Sequence, residues 1–146
     1  MTLYIFDASS IINLVKRGLT SLFAKGLTID LAAYECLNAI WKEYKLLGRI
    51  DEETALSLIK IISNVLVFTE VKSIKGLENE IFNLACRENM TVYDASYLCT
   101  SIKMQAILVT DDQKLKEKGS KYVRVLSTKQ LIQECKRECV GGIGCG

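Results

Sequence analysis

The sequence predicts a single α/β domain of three layers, a central parallel sheet with helices on both faces. Short runs of strand formers alternate with longer segments whose apolar residues recur at helical spacing, and neither a Pro-rich linker nor an internal repeat interrupts the alternation. At 146 residues, 49% of them apolar and 25% charged, the chain has the size of one ordinary domain and enough apolar side chain to bury a core.

The elements follow in order. Thr2 to Phe6 is a short apolar run rich in strand formers, and Asp7-Ala8-Ser9-Ser10 opens a helix through Ile11, Ile12, Leu14 and Val15 that stops at Gly18. Leu19 to Ala24 reads as a short helix and Leu27 to Leu31, after the Gly26 turn, as a second strand. Ala33 to Leu47 is a longer helix marked by Leu37, Ile40, Trp41, Tyr44 and Leu47. Asp51 caps another, with Glu52 and Glu53 in its first turn and Ala55, Leu58, Ile59 and Ile62 as its apolar stripe. Val65 to Val71 holds a brief strand and Ile74 to Arg87 a helix. Thr91 to Asp112 carries a helix and then the strand Ala106 to Val109. A short helix from Asp112 to Lys118 ends at Gly119, Tyr122 to Leu126 is the last strand, and Ser127 or Thr128 caps a final helix to about Arg137. The domain therefore spans residues 1–137, and 138–146 form a Gly- and Cys-containing tail.

Composition removes several classes of chemistry. The chain has no His, which excludes Ser-His-Asp and Cys-His catalysis and His-metal ligation, and leaves carboxylates, Lys, Tyr or Cys. Its six cysteines lack paired CxxC spacing; Cys36, Cys86 and Cys99 sit in apolar contexts and read as small core residues. Cys135, Cys139 and Cys145 cluster in the tail, where thiols without a site role outweigh metal binding and a disulfide is an alternative. A net charge of +2 is too mild to announce nucleic acid by itself. No apolar run has the roughly 18 residues of a membrane span and no signal peptide opens the chain, so the expected location is the cytoplasm.

Four acids stand out. Asp7 and Asp112 each follow a strand, and ligands of open α/β folds bind beyond the carboxyl ends of the strands. Glu35 is embedded in an apolar helix and Asp94 stands near a helix start. Each has a structural alternative: Asp7 as an N-cap, Glu35 on a polar helix side with Asn38, Asp94 as a cap in competition with Thr91, and Asp111-Asp112 as a turn. Together they point to metal, because two carboxylates about 4 Å apart repel by roughly 4 kcal/mol at an effective dielectric of 20 and a hard divalent cation removes that cost.

Asp7 in YIFDASSI, Glu35 in YECLNAIWK, Asp94 in TVYDASYL and Asp112 in LVTDDQKL resemble the four acid-bearing motifs of the PIN domain family, and the likeness covers the chain to about Leu131. Size and motif order are most similar to the toxins of VapBC-type toxin-antitoxin modules. The resemblance implies a metal-dependent endoribonuclease that cuts single-stranded RNA, with Mg²⁺ or Mn²⁺ at Asp7, Glu35, Asp94 and Asp112, a homodimeric assembly and an inhibitory antitoxin. It also places Ser9, Asn38, Thr110 and Asp111 as polar neighbours of the acids, with the spacing of Thr, any residue, then Asp selecting Asp112 over Asp111.

Lys16, Arg17, Lys25, Lys42, Lys45, Arg49, Lys114, Lys116, Lys118 and Lys121 offer charge for an RNA backbone, although any one of them is more simply a solvated side chain. Tyr34, Trp41, Tyr93 and Tyr97 could stack bases, but their helical spacing favours the core, and none is assigned as a reader of sequence. The apolar stripes of the helices from Asp51 and Ile74 are broad enough to leave surface for a dimer or an antitoxin segment. Two other readings keep the α/β fold: a non-catalytic RNA- or protein-binding module, and a receiver-like signalling domain. The receiver fits poorly, since Asp7 follows the first strand and Glu35 lies inside a helix.

Overall fold

The computed structural model describes residues 2–141. Five parallel strands form one sheet: β1 (Tyr4–Phe6), β2 (Gly26–Ile29), β3 (Glu70–Lys72), β4 (Ile107–Val109) and β5 (Val125–Leu126), in the order β3-β2-β1-β4-β5. The helices are α1 (Ala8–Lys16), α2 (Leu31–Trp41), α3 (Glu52–Phe68), α4 (Glu78–Glu88), α5 (Val92–Met104), α6 (Gln113–Gly119) and α7 (Thr128–Gly141). In one layer α1, α2 and α3 pack on each other; in the other α4 packs on α5, which lies against β1 and β4. The expected three-layer α/β/α architecture with its parallel sheet is thus the observed one.

The chain starts in the middle of the sheet, builds outward through β2 to β3, then returns to the other side of β1 with β4 and β5. Strand order therefore reverses between β1 and β4, the position where open α/β sheets leave a crevice at their carboxyl edge. Phe6 pairs with Val109, which sets Asp7 and Thr110 side by side as the next residues of the two strands. All three residues of β1 are buried, with Ile5, Phe6, Leu27, Ile29, Leu108 and Val109 forming the heart of the core. Gly26 lets β2 approach: a Cβ there would lie 2.0 Å from the Tyr4 carbonyl oxygen.

Several boundaries differ from the sequence expectation. The β-branched run at Val65 is helical, because Ala55, Ile62 and Val65 share one buried face of α3, a helix that ends at Phe68; the strand begins only at Glu70, after Thr69 turns extended. This strand is an exposed edge, so it lacks the apolar alternation that announces a strand. The helix expected from Ala33 to Leu47 starts at Leu31 and ends at Trp41, continuing as one π-helical turn, Lys42–Leu46. Leu19 to Ala24 is a 3₁₀ turn at Thr20–Lys25, and the helix expected from Ile74 begins at Glu78. The last strand is only Val125–Leu126, since Tyr122 turns aside to donate a 2.6 Å hydrogen bond to Glu88 under the Arg87 guanidinium. The final helix, expected to end at about Arg137, runs to Gly141; Cys145 lies outside the described residues. Cys36 and Cys99 are buried as expected, whereas Cys86 is exposed, one residue past the face of α4 formed by Ile81, Leu84 and Ala85.

Candidate active site

Asp7 leaves the end of β1 and caps α1, accepting from the Ser10 N–H at 2.9 Å and the Ser9 hydroxyl at 2.7 Å on Oδ1. Its other oxygen, Oδ2, accepts from the Thr110 hydroxyl across the switch point. The cap and the site acid are therefore one residue. Only 5% of Asp7 is exposed, and burial pushes its carboxyl up to about 6 even though hydrogen bonds from Thr110, Ser10 and Ser9 pull the other way.

Glu35 projects from the second turn of α2, half-buried, and its Oε1 accepts a 2.8 Å hydrogen bond from the Tyr97 hydroxyl of α5. Tyr97 is 1% exposed. Burial first, and then the negative Glu35 beside it, push the phenol well above its ordinary range, so it stays a donor. Cys36, next to Glu35, is buried and its thiol is pushed up to about 12 by burial and by Asp7 and Glu35. A thiol held protonated in this way is no ligand for a hard cation.

Asp94 lies in the first turn of α5 and is not the cap of that helix. Thr91 is, accepting the Asp94 N–H at 3.1 Å. The Asp94 carboxylate is left half-buried, and its ionisation is pushed up by burial and by the negative Asp112 and Glu35, against the opposing pull of Lys118. That mutual influence ties three of the four acids together. Asp112 caps α6, accepting from the Leu115 N–H at 2.9 Å, while its own N–H donates to Thr110 Oγ1 at 3.0 Å. The structure thus brings Asp7, Glu35, Asp94 and Asp112 to the carboxyl edge of the sheet from four different segments.

Ser9 and Thr110 both donate to Asp7, and the Asp111 N–H donates to Ser9 Oγ at 3.0 Å. The Asp111 side chain turns elsewhere, accepting from the Thr128 N–H at 2.8 Å, from the Thr128 hydroxyl and from Asn13 Nδ2 at 2.5 Å. It pins the start of α7 rather than joining the acids. Asn38 lines an open cavity of about 430 Å³ with Leu31, Tyr34, Glu35 and Tyr93. A second cavity of about 370 Å³ runs past Asp94 between Thr91, Lys114 and Lys118.

Oxygen-only donors of this number suit Mg²⁺ or Mn²⁺ better than a soft metal. As they stand, no three Asp, Glu or Cys side chains among the described residues close tightly enough around one point to hold an ion. The reason is visible in the hydrogen bonds: Asp7 is turned to Thr110 and Ser9, Glu35 to Tyr97 and Asp112 to the Leu115 amide. The donor set fits a hard cation in type, with rotation of these side chains needed to converge on it.

Sequence reasoning missed Tyr97 as a partner of the site, although its position three residues after Asp94 places both on one face of α5. The expectation that the aromatics pack in the core holds for Tyr97 and fails for the others. Tyr34 is 76% and Tyr93 59% exposed, and Trp41 is also exposed.

No family model matches the chain. Over 91 residues it is 34% identical to Ribonuclease VapC3 of Pyrobaculum aerophilum, covering 62% of this chain and 69% of that protein. Over 111 residues it is 33% identical to Exonuclease VapC9 of the same organism, covering 72% of this chain and 77% of that protein. The crystal structure of PAE2754 from Pyrobaculum aerophilum superposes with a TM-score of 0.77 at 27% identity, over 91% of this chain and 96% of that one. VapBC2 from Rickettsia felis, solved bound to a DNA fragment from its promoter, shares the fold at a TM-score of 0.56 and 12% identity, over 86% and 98% of the two chains. With a third of the aligned residues identical to two VapC nucleases, across more than two thirds of each of them, the chain belongs to the VapC family of PIN-domain proteins.

Proposed function

We propose that this protein is the toxin ribonuclease of a type II toxin-antitoxin pair, hydrolysing phosphodiester bonds in single-stranded regions of RNA with Mg²⁺ or Mn²⁺ at Asp7, Glu35, Asp94 and Asp112. The observation that carries the reading is the placement of these acids along the carboxyl edge of the sheet about the β1/β4 switch point, where Asp94 feels the charge of both Asp112 and Glu35. A bound divalent cation would supply Lewis-acid activation of water and of a phosphoryl oxygen, which removes the need for His. Asp7 is the most fixed of the ligands, held by Ser9, Ser10 and Thr110. Tyr97 orients Glu35, and Lys114 and Lys118 beside Asp94 supply positive charge for the RNA backbone.

The exposed apolar side chains Leu56, Val67, Phe68 and Phe82 on α3 and α4 support a homodimer and an antitoxin contact. Among the described residues no helix is long and apolar enough to cross a membrane, which agrees with a cytoplasmic toxin. The open spacing of the acids favours one other reading, a non-catalytic RNA- or protein-binding module.

The test is cleavage of single-stranded RNA by the purified protein with Mn²⁺, Mg²⁺ or EDTA, beside Asp7→Asn. Metal-dependent cutting lost in Asp7→Asn is the expected result. RNA bound but left intact in every metal would select the binding module.

A further inference from the structure

Each site acid that projects from the body of a helix has a tyrosine immediately before it: Tyr34 before Glu35 on α2 and Tyr93 before Asp94 on α5. One step along an α-helix turns a side chain by about 100°. Here that step leaves the acids half-buried and sends the rings outward, at 76% and 59% exposure. The two rings nevertheless share a surface, since Tyr34 and Tyr93 line the same open cavity of about 430 Å³ together with Glu35, Asn38 and Leu31. That volume lies toward the lower end of the roughly 300–1,000 Å³ of small-ligand pockets. Asn38, one turn along α2 from Tyr34, has an amide with no hydrogen-bond partner among the described residues.

We infer that Tyr34 and Tyr93 form a stacking site for one unpaired nucleobase of the RNA strand, next to the bond that is cut. The inference rests on the ribonuclease reading and deepens it by naming how the strand is held. Aromatic faces take bases of any identity, whereas a base inside a duplex has no free face, so such a site selects single strands. The Asn38 amide lines the same cavity, with a donor and an acceptor to offer the edge of a base. Glu35 lines this cavity, and Asp94, the residue after Tyr93, lines the second cavity with Lys114 and Lys118, so a strand with a base held here would run its phosphates past the acids toward those lysines. Beside the rings and Leu31, the cavity is lined by the Glu35 carboxylate and the Asn38 amide, polar groups that suit the edge of a base better than the apolar centre of a protein interface.

The test uses the intact protein in EDTA, where no cutting intervenes, and a single-stranded RNA of about ten nucleotides. One base at a time is replaced by fluorescent 2-aminopurine or by an abasic sugar. At one position the parent should quench 2-aminopurine and should bind the abasic strand roughly 5- to 100-fold more weakly. The double variant Tyr34→Ala with Tyr93→Ala should bind the intact strand as weakly as the abasic one, with no quenching and an unchanged melting temperature. Tyr34→Phe with Tyr93→Phe should retain both signals, since the faces remain. Equal binding of intact and abasic strands by the parent at every position, or full affinity in the double alanine variant, would overturn the inference; loss of an antitoxin contact alone in that variant would do the same and assign the face to protein. Base-dependent binding without cleavage in Mn²⁺ would sink the nuclease reading and leave the stacking site standing. Cleavage that ignores the tyrosines would do the reverse.

Discussion

The Tyr97 hydroxyl donates a 2.8 Å hydrogen bond to Glu35 Oε1, linking α5 to α2 over a sequence distance of 62 residues. The ring is packed in the core and only its hydroxyl reaches the acids, so the bond holds Glu35 from a rigid base. Tyr97→Phe keeps the ring and removes the donor. Stability should fall by only about 0.5–1.5 kcal/mol in urea titrations, while Mn²⁺-dependent cleavage should drop by about 10-fold or more. Parent-like cleavage by a folded Tyr97→Phe would mean that Glu35 needs no positioning.

Asp7 gives a pH-dependent prediction whose sign follows from its burial. The folded protein holds the Asp7 proton up to about pH 6, while the unfolded chain releases it near the ordinary value of 3.8. Between those limits the folded state binds more protons, so the Asp7 contribution to stability decreases as pH rises through the window and is constant above it. In EDTA, Asp7→Asn should therefore be more stable than the parent at pH 8. The advantage should be about 1–3 kcal/mol, the upper end being the two-unit shift and the lower allowing for weaker hydrogen bonds from Ser9, Ser10 and Thr110. Near pH 4 the difference should vanish. Urea titrations at the two pH values decide it, and a variant less stable than the parent at pH 8 would contradict the cost assigned to the buried carboxylate.

Metal should offset that advantage. Mn²⁺ at a hundred times its dissociation constant should stabilise the parent by about 2.7 kcal/mol and raise its melting temperature, with little effect on Asp7→Asn. A melting temperature indifferent to Mn²⁺ and Mg²⁺ in both proteins would remove the metal from the mechanism, whatever the fate of the RNA.

The adjacent residues Asp111 and Asp112 should separate cleanly. Serine is a good N-cap, so Asp112→Ser should keep α6 capped and the protein as stable as the parent to within a few tenths of a kcal/mol, yet lower cleavage sharply. Asp111→Ala frees the Thr128 amide and hydroxyl at the start of α7. It should cost about 1 kcal/mol of stability and leave most of the activity. The reverse pattern would exchange their roles.

The sheet and the order of its elements were legible because β1, β2 and β4 are buried apolar runs, each entering or leaving a helix with a clear start. The failures lie where tertiary contact outweighs local preference. Val65 to Phe68 carries strand formers but forms the last turn of α3, where Val65 continues the buried face while Val67 and Phe68 are exposed, and the edge strand β3 has no apolar face to announce it. At the site, Asp7 and Asp112 were legible as residues that follow strands, and the structure adds that each is also a helix cap. The cap is thus settled for both, and it leaves the proposed ligand role open to each. For Asp94 the two readings do compete, and Thr91 takes the cap. Tyr97 could not be told from an ordinary core residue, because its hydroxyl finds Glu35 only once α2 and α5 are side by side.

The central place of β1 bears on how such a chain is made. During synthesis β1 must wait about a hundred residues for its neighbour β4, since Phe6 pairs with Val109. Until then Asp7 lacks the Thr110 hydroxyl, and both Asp94 and Asp112 are unplaced. A chain cut short before Asp112 therefore cannot bring the four acids together at the sheet edge.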